Sequence, residues 1–463
     1  VSFDSIWHKL LVKRDWIDCQ AAYAYSWEAR IRVAESQYER QDDGCIFTII
    51  KNPKRKFLER VFQSKIDAAG FGPAAASKVF FYHDLYGPHV GSVRIPSTMA
   101  DLRRFNLIKF IKKLVSLRRL EIDTFNLTRS DMMDIVGLLK SGALPHLKKL
   151  KFLRCGLTDD SVQPLIDYLS DVPIARDSNG CNGITVLDLS GNKLSIAVLG
   201  RLAWAVKQNR TLTHLGLSDC NINSPRTSPW SKKNTSTQQR PLCDFLAALG
   251  KNKTIRLLDL SYNSINFKSL PDWLWEAFGE NNALTHIILT ENALVQDEHS
   301  SKALEQFFLH LPKYTLYLDF AMCRLDPEHM QHLALGLRQL KHIKHVDLAS
   351  NLLGVEASNH LSALLRMNTP LKSLNLSYNN LYDTGVRDLS RALVQNNVLE
   401  YLDLSRNDLS LSAIELARAL ASNWEKIGLR RLRISNNRYL TSDQVDTMTN
   451  ILKGKNVFLV AYD

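Results

Sequence analysis

LKSLNLSYNNL (371–381) and LEYLDLSRNDL (399–409) are two copies of one pattern, and they begin 28 residues apart. Each copy has apolar residues at its positions 1, 4, 6 and 11 and Asn at position 9. The alternation of apolar and polar residues predicts a short strand with one buried face. Repetition at a fixed spacing indicates a stack of similar strand-containing units.

The pattern L-x-x-L-x-L-x-x-N/C-x-L occurs eleven times from residue 117 onward. A helix is predicted after each strand; in VRDLSRALVQNN (386–397), Val386, Leu389 and Leu393 share one face of a 3.6-residue period. Asn396 or Asn397 is expected to take the left-handed conformation that ends this helix. The ending VFLVAYD (457–463) predicts one last strand. The copies are 117–127, 147–157, 184–194, 212–222, 255–265, 284–294, 315–325, 343–353, 371–381, 399–409 and 429–439.

Position 9 holds Asn in seven copies and Cys in three. After each strand the backbone must turn inward, where its N–H and C=O groups would be buried without partners. A side-chain amide donates and accepts hydrogen bonds at once, so we predict a ladder of amides along the stack. Cys is small enough for the same place, and its thiol donates weakly.

The repeat resembles the leucine-rich repeats of the ribonuclease-inhibitor type. This resemblance covers roughly residues 117–463 and implies an α/β leucine-rich repeat solenoid, a horseshoe of about eleven strand–helix repeats. Parallel strands about 4.8 Å apart would give a concave sheet of roughly 50 Å. We expect a leucine-rich repeat domain at 114–463 and a mainly helical capping and docking module at 1–113, because the first repeat of a solenoid exposes its core.

The formal net charge of the 463 residues is +12, and the positive charge is concentrated in residues 51–154. KNPKRKFLER (51–60) is strongly basic, and FNLIKFIKKLVSLRRL (105–120) predicts a basic amphipathic helix. We predict docking to an acidic partner (tubulin tails, an acidic protein or RNA). The alternative is a solvated face over a capping helix. The predicted basic docking patch consists of Lys54, Arg55, Lys56, Lys109, Lys112, Lys113, Lys148, Lys149 and Lys151.

Positions 3, 5 and 8 of each copy are expected to face the concave side and to bind a protein partner. Tyrosine is a favoured interface residue there. The Asp residues of the LDLS copies either join this surface or serve neighbouring strands. The polar insertion 223–241 is predicted to be a mobile loop with Trp230 as a partner anchor. The predicted partner-binding residues of the concave face are Tyr262, Tyr317, Tyr378, Tyr401, Arg430, Arg431 and Arg433.

Common catalytic and cofactor-binding motifs are absent from the sequence: the chain has no GxxxxGK[ST], GxGxxG, GxSxG or HExxH pattern. We therefore predict no enzyme activity and no cofactor. The HxxH pairs His329/His332 and His342/His345 are interpreted as surface histidines rather than metal ligands, because zinc needs three or four convergent groups. Scattered cysteines without a CxxC pair predict reduced thiols in a cytosol-like compartment. No apolar run is long enough to span a membrane, and no secretory signal opens the chain.

Trp7, Trp16 and Trp27 have a spacing that resembles the stretch following an F-box. It also resembles the leucine-rich-repeat subunit of the axonemal nexin–dynein regulatory complex. The second resemblance implies a scaffold in a large ciliary assembly of several proteins; the plain alternative is a helical cap packed by three tryptophans. A substrate receptor of a cullin ubiquitin ligase and a peripheral protein of an organellar ribosome or RNA–protein complex stay open as alternatives. Because the chain begins at Val1 rather than Met, we expect a natural segment before it, in which an F-box would favour the receptor.

Overall fold

The computed structural model describes residues 53–67, 87–97, 106–171, 183–222, 240–267, 270–295 and 298–461. These residues belong to two compact units, the first within 53–222 and the second within 240–461. In each unit short parallel strands alternate with helices. The α/β repeat fold predicted from the sequence is thereby confirmed in both units.

The first unit pairs its described strands in parallel and in chain order. Its strands are β1 (Ser92–Ile95), β2 (Arg119–Asp123), β3 (Lys149–Leu153), β4 (Val186–Asp188) and β5 (His214–Gly216). Its helices are α1 (Pro53–Asp67), α2 (Leu107–Lys112), α3 (Arg129–Lys140), α4 (Asp159–Asp171) and α5 (Ile196–Gln208).

The second unit continues the same alternation, again with parallel neighbours in chain order. Its strands are β6 (Leu257–Asp259), β7 (His286–Ile288), β8 (Tyr317–Asp319), β9 (His345–Asp347), β10 (Ser373–Asn375), β11 (Tyr401–Asp403), β12 (Arg431–Arg433) and β13 (Phe458–Val460). Its helices are α6 (Arg240–Lys251), α7 (Trp273–Gly279), α8 (Glu298–Leu309), α9 (Pro327–Gln339), α10 (Ala357–Arg366), α11 (Tyr382–Leu393), α12 (Leu411–Ser422) and α13 (Ser442–Leu452). Strand β13 confirms the last strand predicted at 457–463.

The core of each repeat lies between its strand and its helix. In the repeat at 371–381, Leu374, Leu376 and Leu381 are buried, and the apolar face of α11 is buried with them. Adjacent helices approach closely where a side chain is missing: a Cβ on Gly336 of α9 would lie 2.1 Å from the carbonyl oxygen of Phe308. Because even one added methyl group is felt in a close-packed core, glycine is needed there.

The position-9 amides form the predicted ladder. Asn379 Nδ2 donates to the carbonyl oxygens of Leu348 (2.8 Å) and Leu376 (3.1 Å), while its Oδ1 accepts from the backbone N–H of Asn351 (3.1 Å). Where Cys replaces Asn, the thiol takes over part of this role, as Cys323 Sγ donates to the Leu289 carbonyl oxygen at 3.1 Å. Each amide thus joins its own repeat to the preceding one.

The expectation for Asn396 and Asn397 was wrong, because neither residue has a positive φ. Asn396 is instead buried: its Nδ2 donates to the Leu365 carbonyl oxygen (2.6 Å), and its Oδ1 accepts from the backbone N–H groups of Val398 and Leu399. The side chain therefore spans two repeats at the end where the helix returns to the strand. Equivalent bonds are made by Asn209, Asn252 and Asn281, each three residues before its strand pattern.

Strand β1 was not expected, since the repeat was read only from residue 117. Its free edge is covered by α1: Gln63 Oε1 accepts from the Arg94 N–H and Gln63 Nε2 donates to the Arg94 carbonyl oxygen, both at 2.8 Å. One side chain thereby bonds both backbone groups of Arg94, as a neighbouring strand would. Phe62 of α1 stacks on Phe110 with ring centroids 6.2 Å apart. These contacts supply the edge protection that a solenoid requires.

The basic helix predicted at 105–120 is shorter than expected. Helix α2 ends at Lys112, because the chain turns there to reach β2, and Arg118 and Arg119 donate their N–H groups to the Gly91 carbonyl oxygen. Leu114 and Leu117, which would lie on the apolar face of the predicted helix, are buried, but they lie beyond the end of α2. The apolar pattern identified the buried side chains correctly and overextended the helix.

The amide ladder gives a direct stability prediction. Asn379→Ala should lower the free energy of unfolding by about 3 kcal/mol, because buried backbone groups of two repeats lose their partners. Asn379→Cys should cost clearly less, since a thiol can still donate to the preceding repeat. Equilibrium urea denaturation of both variants measures the difference, and equal losses, or none, would contradict the assigned role.

Candidate protein-binding surface

Two of the tyrosines predicted to bind a partner are buried in the strand face, the surface formed by positions 3 and 5. Tyr317 and Tyr401 expose 4% and 3% of their surface. Tyr317 lies between His286 and His345, with ring centroids 5.8 Å and 6.1 Å away. The Tyr401 hydroxyl donates to Asp403 Oδ2 at 3.1 Å, and burial raises the pKa of Tyr401. Both tyrosines contact side chains of the strand face and are not available to a partner.

The two tyrosines at position 8 are placed differently. Tyr378 is 54% exposed and Tyr262 is half-buried. Both have positive φ angles, 62° and 57°, in the left-handed region that non-glycine residues seldom occupy. The Arg406 guanidinium lies 5.6 Å from the Tyr378 ring centroid, within cation–π range. The side chain at position 8 therefore points away from the core, because the residue has a left-handed backbone conformation.

The position-5 aspartates have a local structural role. In each described case Oδ1 accepts a hydrogen bond from the backbone N–H two residues further on, at 2.8 to 3.1 Å, and so stabilises the turn after the strand. Their role was expected to be either partner binding or service to neighbouring strands. The turn within their own repeat was missed. The residues are Asp188, Asp259, Asp319, Asp347 and Asp403.

Asp347 and His345 of β9 have strongly shifted pKa values. Burial, followed by the charge of Asp319, raises the pKa of Asp347 from 3.8 to about 7. Burial, followed by the charge of Lys344, lowers the pKa of His345 from 6.5 to about 4. The strand face of this repeat is therefore nearly neutral at mildly acidic pH, although its sequence reads as charged.

A sequence profile described as "Leucine Rich repeat" matches residues 208–225, 368–390 and 395–415. The last two segments cover strand, loop and the start of the following helix, which is the unit seen in the structure. These segments are leucine-rich repeats. The ribonuclease-inhibitor subtype stays a prediction. No curated protein sequence matches the chain.

Solved structures with this leucine-rich repeat fold share little sequence with the chain. A chain of the yeast Rad7–Elc1 complex is 12% identical, with 95% of this chain and 98% of that chain covered and a TM-score of 0.44. LegL7 of Legionella pneumophila is 18% identical (72% and 98% covered, TM-score 0.42). A chain of the TLR13–ssRNA13 complex is 19% identical, with 76% of this chain and 40% of that chain covered and a TM-score of 0.41. These likenesses concern the fold alone.

The three predicted arginines lie in the last copy of the pattern, 429–439, and differ in their surroundings. Arg430 is exposed and donates to the Ile427 carbonyl oxygen at 3.2 Å. The Arg431 guanidinium lies 5.8 Å from the centroid of the Phe458 ring. Arg433 Nε is 3.9 Å from Asp403 Oδ2. Arg431 and Arg433 are thus partly engaged within the strand face.

The predicted basic docking patch is only partly brought to the surface. Lys109, Lys112, Lys113 and Lys149 are exposed and Lys148 is half-buried. Lys151 is 2% exposed, with Nζ 3.6 Å from Asp188 Oδ2, so this residue is buried in an ion pair. The predicted patch therefore loses Lys151. The backbone of Lys54, Arg55 and Lys56 lies in α1, but their side chains are outside the described residues, as is Trp230.

An exposed row, of which only Tyr378 was predicted from the sequence, follows the loops of the second unit. We call Met322, Leu352, Tyr378, Tyr382 and Arg406 the tyrosine edge; all five are exposed. Backbone hydrogen bonds hold consecutive loops together along this edge. The backbone N–H of Met322 donates to the carbonyl oxygen of Ala349. In the same way Ser350 donates to the carbonyl oxygen of Ser377 and Tyr378 to that of Ser405, at 2.8 to 2.9 Å. The sequence signal that could have predicted this row is the presence of large residues at positions 8, 10 and 12 of these copies.

The HxxH histidines do not converge on a metal site. His329 was expected at the surface but is buried: its Nε2 lies 2.9 Å from Ser301 Oγ, and its Nδ1 accepts from the Asp326 backbone N–H at 3.2 Å. His332 Nε2 is 3.3 Å from Glu305 Oε1. No group of three or more metal-binding side chains occurs in the described parts of the chain.

Asp326, His329 and Ser301 have the residue types of an acid–base–nucleophile line. The N-terminus of α9 explains them more simply, because Asp326 caps the helix while His329 bonds back to the Asp326 N–H. His329 Nδ1 also lies 2.6 Å from Asp326 Oδ1, the oxygen that accepts from the backbone N–H groups of Glu328 and His329, so the contact between these two side chains is part of the helix cap. The described helices also include none that is both long and apolar enough to cross a bilayer.

The raised pKa of Asp347 predicts a pH-dependent variant effect. The folded protein holds a proton that the unfolded chain has already released, so this contribution to stability is lost as the pH rises from about 4 through about 7. Asp347→Asn should change the free energy of unfolding little at pH 5 and should raise it relative to wild type at pH 8. Urea denaturation at both pH values tests this, and an equal loss of stability at both would contradict the raised pKa.

Proposed function

We propose that the chain is a non-enzymatic interaction scaffold whose second unit binds a protein partner on the tyrosine edge. The observation that carries the proposal is a row of large exposed side chains on loops joined by backbone hydrogen bonds. Tyrosine, arginine and methionine are enriched in protein interfaces, and tyrosine and arginine dominate their binding energy.

The loops of this edge are ordered before a partner binds. Asn407 Oδ1 accepts from the backbone N–H groups of Asn379 and Leu381, at 3.1 Å and 3.2 Å, on either side of Asn380. Tyr378 is therefore attached to a loop that is fixed before a partner arrives. A preordered loop loses less conformational entropy on binding, so more of the contact energy appears as affinity.

The partner surface proposed for this edge is apolar with carboxylates. Met322, Leu352 and the tyrosine rings would contact apolar groups. Arg406, which has a cation–π contact with Tyr378, is positioned to add a charge-assisted hydrogen bond to an acidic side chain. The strand face beside the edge would contribute less, because its tyrosines and aspartates bond one another and the backbone.

The assembly to which the scaffold belongs is a further proposal. The axonemal regulatory-complex setting rests on the spacing of Trp7, Trp16 and Trp27, which lie outside the described residues. The ubiquitin-ligase receptor and the organellar RNA–protein complex stay as alternatives on the sequence grounds stated above. None of these settings changes the proposed binding surface.

The double variant Leu352→Ser/Tyr378→Asn tests the tyrosine edge. Asn tolerates positive φ, so the loop should keep its conformation and the midpoint of thermal unfolding should stay within about 2 °C of wild type. Recovery of a partner by quantitative co-purification from the native source should fall about tenfold, the effect of losing one interface hot spot.

The matched control is Leu335→Ser/Trp204→Asn, which removes an exposed leucine within α9 and an exposed aromatic ring within α5. Partner recovery should be unchanged in this control. Equal recovery by wild type and by the tyrosine-edge variant would contradict the proposed function.

A further inference from the structure

The opposite edge of the second unit, where helices return to strands, carries a concentration of positive charge. Three successive segments at this edge, 309–316, 338–344 and 366–371, contain five Lys or Arg residues and no Asp or Glu. All five cations are exposed. We call them the basic edge: Lys313, Arg338, Lys341, Lys344 and Arg366.

Backbone hydrogen bonds bring these segments side by side. The N–H of Lys344 donates to the Leu316 carbonyl oxygen, and the N–H of Lys372 donates to the Lys344 carbonyl oxygen, both at 2.8 Å. The strands into which these segments lead are therefore about 4.8 Å apart. The cations of consecutive repeats thus lie along the same edge of the second unit.

The five cations form no ion pair with a described carboxylate, although Lys313 lines a second groove together with Glu276 and Glu280. In the adjacent repeat, Lys372 pairs with Glu400 at 2.6 Å. Arg338 and Arg366 occupy the last turns of α9 and α10, where the helix dipole favours a cation. This argument does not apply to Lys341 and Lys344, which lie beyond the end of α9. Neighbouring cations without a paired carboxylate repel one another, and an acidic ligand would reduce this repulsion.

A groove of about 470 Å³ opens within the basic edge. Its lining residues come from two consecutive repeats: Arg338, Leu340 and Lys341 from one, and Met367, Thr369 and Pro370 from the next. Its lining therefore combines two cations with apolar surface. A methyl-bearing side chain flanked by carboxylates would match both features.

We propose that the basic edge binds an acidic peptide segment whose aliphatic side chain enters the groove. The cations would pair with its carboxylates, and Met367 and Pro370 would contact the aliphatic group. Single-stranded nucleic acid fits less well, because it requires rings on which bases can stack. The aromatic ring that these segments supply, Tyr314, already stacks on His342 with centroids 5.4 Å apart.

The basic edge shares no residue with the tyrosine edge or with the basic docking patch predicted from the sequence. The three can therefore be tested independently. An acidic segment on the basic edge would leave the tyrosine edge open for another partner or for another part of the same one.

Binding of a fluorescein-labelled octapeptide of six glutamates and two leucines to the full chain tests the proposal by fluorescence anisotropy. Arg338→Glu/Lys341→Glu/Lys344→Glu should weaken binding about tenfold or more, because three ion pairs become repulsive contacts. The matched control Arg240→Glu/Lys302→Glu/Arg418→Glu makes the same charge change on cations that lie outside the last turns of their helices and should shift the Kd less than about twofold.

A second measurement locates the peptide on the unmodified protein. Acetylation by an amine-reactive ester, followed by mass spectrometry, should show Lys341 and Lys344 protected by the peptide and Lys302 unprotected. Because it needs no substitution, this readout also holds if the triple variant fails to fold.

Absence of saturable binding, or equal weakening by both triple variants, would overturn the proposal. A ten-nucleotide oligouridine serves as the competing probe. If it binds more tightly than the peptide and protects Lys341 and Lys344, the edge is a nucleic-acid site and the acidic-peptide proposal is wrong.

Discussion

One buried side-chain amide per repeat is the interaction on which the rest of the structure depends. At position 9 the backbone turns into the core, and the Asn amide supplies the donors and the acceptor that the turn needs. With position 9 held inward, positions 8 and 10 must project outward. Tyr378 and Asn380 accordingly have positive φ angles on either side of Asn379. The bond that stabilises the fold also fixes the exposed edge.

The sequence predicted the repeat, its strands, the amide ladder and the buried leucines, because these depend on residues within one repeat of 28 residues or on its immediate neighbour. It did not predict β1, whose sequence SVRI lacks a position-9 Asn and is too short to show the pattern. The cover that Gln63 provides for β1 joins residues 31 apart, and no local pattern indicates such a contact. The role of Asn396 was missed because its hydrogen-bond partner, the Leu365 carbonyl oxygen, belongs to the preceding repeat.

The candidate site was predicted less well than the fold. Position within the repeat tells which face a side chain occupies, but its exposure depends on the residues beside it in the adjacent repeats. Tyr317 is buried because His286 and His345 flank it, and Lys151 because Asp188 lies opposite. Tyr378 was predicted on the correct side and is exposed, because position 8 lies at the loop rather than within the sheet. Charge counted over a window likewise concealed the basic edge, whose cations come from three separate segments.

The middle repeats of the second unit thus carry two kinds of chemistry at the two ends of a short strand, about 10 Å long. The loop side there is mainly aromatic and apolar, and the side where helices return to strands is basic. Each edge extends over several repeats because equivalent positions recur in successive repeats. A scaffold built in this way can hold two chemically different segments without a change of fold.

Amide hydrogen exchange at Ser350, Tyr378 and Arg406 tests most directly the claim that the ladder fixes this edge. Their N–H groups lie in exposed loops but donate to the next repeat, so they should exchange at least about a hundredfold more slowly than in an unstructured chain. Exchange at the rate of an unstructured chain would show that the loops are not held by the ladder, and would contradict this claim.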